Sequence, residues 1–374
     1  MTASNRHTPR PVSQVSADGA RPLRVRLLHT RYPHMGAHAG MVQLPRAFDR
    51  ALVDAQICAV TDGDDDFPIR AETVRAWLRR QLKRGGMAWY KLSDFHAELG
   101  ALGAVARGAV DIVHFLDGEH SAQLVPRIVR RVGPRRSRTV ATFHQPPATL
   151  GTLIDRRVVE ALDLVTVVSP TQVEWFAEAV PHVRTELVLH GVDAAFFSPA
   201  PAPRSPDGRF RCVTVGHWLR DWAAMRGAIE RLRTAGGMEF CIVTPRDTGV
   251  EGMAGVVIHR EVSDEALRAL YRSADVLLLP LIDATANNAL MEGMACGLPV
   301  LTTEHPSLRA YVPSDAGIFV EGNDPDAIAG AVEWLRSDEA SRAALGVRAR
   351  ARAEALAWPR IAGQMTGLYR EIVA

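Results

Sequence analysis

A chain of 374 residues is too long for one ordinary core and fits two domains. Apolar residues make up 47% and charged residues 23%, which excludes an intrinsically disordered chain. Lys plus Arg (44) nearly offset Asp plus Glu (42), so the formal charge of +2 carries no footprint for nucleic acid.

No apolar run is long enough to span a bilayer. The four cysteines, Cys58, Cys212, Cys241 and Cys296, show neither a close pair nor metal-ligand spacing. Buried, reduced thiols in a cytoplasmic protein are the expectation. Residues 1–22 are polar without an apolar centre, which reads as a disordered tail rather than a secretory signal. Leu23–His29 predicts the first strand of a Rossmann-like sheet, followed by a loop with Gly36, His38 and Gly40 and an apolar-periodic helix over 42–52. Glycine between strand and helix admits a close backbone approach to a ligand, so Gly40 is a candidate, with a plain turn as the alternative. Residues 74–84 predict a basic amphipathic helix with Trp77, Leu78 and Leu82 opposite Arg75, Arg79, Arg80, Lys83 and Arg84; Trp89 and Tyr90 follow. A solvated helix with a core-facing Trp77 is the expectation, and peripheral membrane contact through 74–91 the alternative.

Val110–Phe115 and Thr139–Phe143 read as buried strands, each ending in a polar loop that carries a histidine, His120 and His144. Both are candidates for orienting substrate hydroxyls; a structural hydrogen-bonding role is the plainer alternative. A third unit over 161–168 ends at Ser169, which can cap the next helix. The proline-rich stretch 198–208 predicts a linker between domains at 23–197 and 209–355. The second half repeats the format: a strand over 210–215, a loop with Gly216 and Arg220, a helix over 222–233, and strands at 238–243 and 256–258. Arg220 can clamp an anion through its guanidinium fork, the alternative being a surface pair with Asp221.

Val276–Leu279 predicts a strand buried on both faces. A loop follows with Thr285, Ala286, Asn287 and Asn288, then a helix bearing Glu292, stopped by Gly297 and Pro299, and a strand from Val300. This βαβ unit places its loop at the carboxyl end of a strand, where open α/β sheets bind ligands. Free N–H groups at the helix start suit a phosphate, and a carboxylate one turn further in suits the hydroxyls of a ribose.

Asn288-Ala-Leu-Met-Glu292-Gly-Met-Ala-Cys-Gly297-Leu-Pro299 resembles the donor-site signature of retaining GT-B glycosyltransferases of the family 4 (group 1) type. The resemblance implies two Rossmann-like α/β domains whose parallel sheets face a central cleft, with residues 356–374 packing back on the first domain. It implies a nucleotide-sugar donor such as a UDP- or GDP-sugar, no cofactor and no metal. The acceptor would be a hydroxyl of a glycan, lipid or small natural product, in the cytoplasm or at the inner membrane face. The donor would be held by Gly216, Arg220, Thr285, Ala286, Asn287, Asn288 and Glu292, with Gly40 facing the cleft. Arg220, His144 and His120 form the candidate catalytic set. The family has a first glutamate where Ala284 stands, beside Asp283, a Gly-Arg opening where Gly216-His217 stands, and an asparagine where His190 stands. These departures keep open a GT-B-like protein that binds a nucleotide without transferring sugar. A dinucleotide oxidoreductase is disfavoured, because neither half has a full Gly-x-Gly-x-x-Gly followed by a ribose-binding acid.

Overall fold

Strand β1 (Leu23–Arg31) is flanked on both sides by parallel strands in the computed structural model, which describes residues 21–32, 35–132, 137–200, 207–233 and 235–374. The other strands of this sheet are β2 (Val53–Thr61), β3 (Ile112–Phe115), β4 (Arg138–Phe143), β5 (Leu164–Val167) and β6 (Thr185–Leu187). Their order is β2-β1-β3-β4-β5-β6, parallel throughout. Residues 1–20 and the linker positions 201–206 lie outside the described residues.

A second parallel sheet holds β7 (Phe210–Val215), β8 (Met238–Val243), β9 (Val256–His259), β10 (Val276–Leu279), β11 (Val300–Thr303) and β12 (Gly317–Val320). Its order is β12-β11-β10-β7-β8-β9. In each sheet the strand order reverses once, between β1 and β3 and between β7 and β10. Connections leave the carboxyl ends of those strands in opposite directions, which opens a crevice there. Four segments therefore define the cleft-facing ends: 35–40, 116–121, 216–221 and 280–287.

The strands that frame these crevices are apolar on both faces because helices cover both. All four residues of β10 are 1% exposed or less. One apolar cluster joins the two halves, running from Val25 and Leu27 through Val192 and Phe197 to Tyr271, Met291 and Tyr369. The helix Trp358–Val373 lays Tyr369 against Phe48, and its hydroxyl lies 2.6 Å from His114 Nδ1. At a second contact, Ser307 Oγ lies 2.6 Å from Ser169 Oγ, and Tyr311 Oη donates to the Val168 carbonyl at 2.7 Å.

Two local expectations fail. The helix over 42–52 is only a 3-10 turn, Met41–Gln43, and one α-turn, Leu44–Ala47. Phe48 is already extended, and the Asp49 carboxylate accepts from the Ala51 amide at 2.9 Å, so the chain turns into β2 instead. Apolar spacing alone did not register that Asx-type turn. The helix Glu72–Leu82 forms, but it buries none of its residues, and Trp77 is 55% exposed rather than core-facing.

Candidate active site

The loop after β10 ends in Asn287, whose Oδ1 caps the helix Asn288–Ala295 by accepting from the Leu290 amide at 3.2 Å. Asn288 opens that helix, and Ala286 packs partly buried against the shared core. Thr285 is buried and donates its hydroxyl to the His144 carbonyl at 2.5 Å, tying the loop to the first domain. Ala284 is 3% exposed, so the position of the family's first glutamate is an apolar contact here. Asp283 beside it pairs with His305 Nε2 at 3.3 Å.

Arg220 reaches this loop from β7. Gly216 (φ +87°) and Leu219 (φ +57°) turn the chain, and a Cβ on Gly216 would stand 3.0 Å from an Arg220 nitrogen. The guanidinium donates to the carbonyls of Val215 (3.1 Å) and Trp218 (3.0 Å) and lies 3.5 Å from Asn287 Oδ1. No carboxylate of the described residues pairs with it, and burial pushes its pKa down to about 10. The expected alternative, an Arg220–Asp221 pair, is absent. Asp221 instead caps Trp222–Leu232 through the Ala224 amide (2.9 Å) and accepts from Asn323 (3.0 Å). The guanidinium is thus a half-buried cation held by neutral dipoles beside a helix N-terminus.

Glu292 sits one turn into the same helix and is 4% exposed. Its Oε2 accepts from the Tyr271 hydroxyl at 2.9 Å, and burial pushes the carboxyl up to about 7. Glu292 therefore has an internal partner, the Tyr271 hydroxyl. The sign follows from the raised pKa: its contribution to stability is complete below the ordinary carboxylate range and is lost as pH rises through about 7.

Both Gly36 and Gly40 admit close neighbours, Asp264 at the first and Met35 at the second. A Cβ at Gly36 would lie 1.7 Å from Asp264 Oδ1, whereas Gly40 (φ +75°) serves the turn into Met41 and faces Met35. Two residues on, the His38 amide donates to Asp264 Oδ2 (3.2 Å), its Nδ1 lies 2.7 Å from Asp193 Oδ2, and its ring stacks on Phe196 at 3.6 Å. Loop 35–40 thus clasps the second domain.

On the first domain, the His144 amide donates to Glu119 Oε1 at 3.0 Å. His144 Nε2 faces the Leu116 carbonyl at 2.7 Å, so Nε2 carries the proton and Nδ1 is the nitrogen able to accept one. His120 is 8% exposed, flanked by the Trp89 ring (4.7 Å) and the Tyr32 ring (5.7 Å), and burial pushes its pKa down to about 4. It is neutral at pH 7. Asp117 holds His29 Nδ1 at 2.9 Å and accepts from the Thr30 amide at 2.8 Å. Sequence reasoning named the two histidines but passed over Tyr32, Trp89 and Glu119. Tyr32 and Glu119 share one signal, a position just beyond the carboxyl ends of β1 and β3, whereas Trp89 comes from the segment after the helix Glu72–Leu82.

A cavity of about 300 Å³ lies elsewhere on the first domain, lined by residues that include Asp64, Arg79 and Lys91. Arg79 is paired with Asp64 and Lys91 with Asp62, and no lining residue belongs to the cleft. Among the described residues no group of three His, Cys, Asp or Glu is placed to hold a metal, and no helix is long and apolar enough to cross a membrane.

Two parallel-sheet Rossmann-like domains with facing loop ends define the GT-B architecture. Sucrose-phosphate synthase from Thermosynechococcus elongatus superposes with a TM-score of 0.69 at 19% identity, over 93% of this chain and 98% of that one. The UDP-forming α,α-trehalose-phosphate synthase of Burkholderia xenovorans, solved with glucose-6-phosphate, gives 0.66 at 14% identity over 94% and 100%. HepE of Anabaena, solved with UDP and glucose, gives 0.63 at 14% over 92% and 99%.

Residues 210–338, about a third of the chain, match the family model described as "Glycosyl transferases group 1". A D-inositol 3-phosphate glycosyltransferase of Paenarthrobacter aurescens is 37% identical over 125 residues, 33% of this chain and 31% of that protein. One from Salinispora tropica is 27% identical over 388 aligned residues, 93% of this chain and 73% of that protein. The stronger match thus spans about a third of the relative's length.

Proposed function

We propose that the protein is a retaining, metal-independent glycosyltransferase that moves a hexose from a nucleotide-sugar donor to a hydroxyl acceptor. The observation that carries this reading is Arg220, a guanidinium without a carboxylate partner, beside the capped N-terminus of the helix that bears Glu292. As the anomeric C–O bond of a donor lengthens, negative charge collects on the departing diphosphate. Preorganised donors at that point stabilise the transition state more than the ground state. Glu292 would accept from the ribose hydroxyls. His144, joined to the donor loop through Thr285, would orient an acceptor or sugar hydroxyl with Nδ1. The leaving phosphate would take the acceptor proton, which keeps the incoming hydroxyl on the face the phosphate leaves.

Because charge stabilisation is assigned to Arg220 and a helix terminus, turnover is expected to be unchanged in EDTA. Loss of turnover on chelation, restored by magnesium or manganese, would return that role to a metal. A second reading, nucleotide binding without transfer, draws on the apolar burial of Ala284. Mass spectrometry of donor and acceptor mixtures separates the two, since only a transferase forms a glycosylated product.

The exposed face of the helix Glu72–Leu82 supports peripheral membrane contact. Ile69, Val74 and Trp77 are 43%, 38% and 55% exposed beside Arg70, Arg80 and Lys83. Co-sedimentation with anionic vesicles should fall several-fold in Trp77→Ser while turnover on a water-soluble acceptor is unchanged. Equal sedimentation of both proteins would make this a solvated face.

A further inference from the structure

The cleft-facing end of the first domain holds an unusual group of buried polar atoms. Tyr32 lies in the field of three carboxyls, Asp94, Asp117 and Glu119. Asp117 is answered by His29 and the Thr30 amide. Asp94 and Glu119 are each 1% exposed and only half answered. Asp94 Oδ2 accepts from the Lys91 amide (3.0 Å) and Glu119 Oε1 from the His144 amide (3.0 Å). Their other oxygens, Asp94 Oδ1 and Glu119 Oε2, have no partner. Beside them His120, 8% exposed, has Nδ1 unpartnered, and Thr30, 1% exposed, has its hydroxyl against Tyr32.

Buried polar atoms without partners are rare because each costs about 1–3 kcal/mol, and a group of them marks a place built for something else. Lys91, whose field reaches His120, pairs its ammonium with Asp62 and does not answer these carboxyls. The group is also continuous with the donor loop: Glu119 holds the His144 amide, and the His144 carbonyl holds Thr285.

We propose that the acceptor bound here is an unphosphorylated polyol carrying a protonated amine, an amino sugar or aminocyclitol. This rests on the transferase reading above. An ammonium brings three donors and a positive charge, which answer Glu119 and Asp94; a ring hydroxyl can donate to His120 Nδ1. The Trp89 and Tyr32 rings offer flat apolar faces to the C–H side of the sugar and favour a cation above them. An ammonium favours the charged forms of Asp94 and Glu119, which burial alone pushes toward the neutral acid; a phosphoryl group adds negative charge beside the Asp117 carboxylate. Its exclusion is built from repulsion, not from lack of room.

The test is calorimetric titration of the purified chain, saturated with whichever of UDP, GDP or dTDP binds, with glucosamine, glucose and glucose 6-phosphate. Glucosamine is expected to bind about tenfold more tightly than glucose, the worth of one charged hydrogen bond, and glucose 6-phosphate more weakly than either. Glu119→Gln keeps the acceptor oxygen for the His144 amide and should bring glucosamine to within about twofold of glucose. If Glu119→Gln fails to fold by circular dichroism, Trp89→Ala replaces it and should weaken both neutral sugar and amino sugar. Equal binding of glucosamine and glucose, tighter binding of glucose 6-phosphate, or no binding of any of the three overturns the proposal. Nucleotide binding without the amine preference overturns this proposal alone. Failure of all three nucleotides to bind overturns the transferase reading itself.

Discussion

Arg220→Ala is expected to lower turnover by about 10²–10³-fold, the loss seen when one preorganised donor to a developing anion is removed. The structure supplies the reason for so large an effect. The guanidinium is half-buried, it is positioned by the Val215 and Trp218 carbonyls, and no carboxylate of the described residues neutralises it. Its charge is therefore fully available to a ligand. The same features predict that folding stability changes little or rises, because removing a buried cation without a partner relieves desolvation. Steady-state kinetics and thermal melting on the same preparation check both halves. Unchanged kinetics would make Arg220 a structural brace for the Val215–Trp218 turn.

At pH 8, above the Glu292 pKa of about 7, Glu292→Ala should weaken nucleotide binding tenfold or more, since each hydrogen bond to a charged acceptor is worth about 1.5–3 kcal/mol. The pairing with Tyr271 adds a second consequence. The substitution strands a buried tyrosine hydroxyl, so the unliganded protein should also lose about 1–3 kcal/mol of stability. Tyr271→Phe separates the two roles. It removes the internal hydrogen bond while leaving the carboxylate free for the ribose, so it should lower the melting temperature and keep most of the nucleotide affinity. Calorimetry and melting of the three proteins decide. If Tyr271→Phe and Glu292→Ala lose affinity alike, Glu292 acts on the nucleotide only through Tyr271.

Much of this architecture is legible in the chain. Buried parallel strands appear as short apolar runs, such as Val276–Leu279, because both faces are covered. Asn287 is recognisable as a cap because a polar side chain precedes small apolar residues at helical spacing. What escapes a linear reading is pairing across the fold. Nothing near Glu292 announces that Tyr271, on the preceding helix, will donate to it. Gly36 looked no different from Gly40, yet it is Gly36 that meets Asp264 of the other domain. Glu119 and Tyr32 come together because β1 and β3 are neighbours at the sheet's reversal point, and Trp89 arrives from the segment between the helices Glu72–Leu82 and Leu92–Ala106. The helix expected over 42–52 failed for a local reason: periodicity weighs apolar residues and ignores the turn that Asp49 nucleates.

On the reading proposed above, a metal-free site built from Arg220 and the Asn287-capped helix binds the diphosphate of a nucleotide sugar. Calorimetric titration of the wild-type chain in EDTA, with a nucleoside diphosphate and with the corresponding nucleoside, tests this most directly. One of UDP, GDP or dTDP is expected to bind, its nucleoside at least tenfold more weakly, and Arg220→Ala to remove most of that difference. Equal affinity of nucleoside and nucleoside diphosphate, or binding that appears only when magnesium is added, would contradict it.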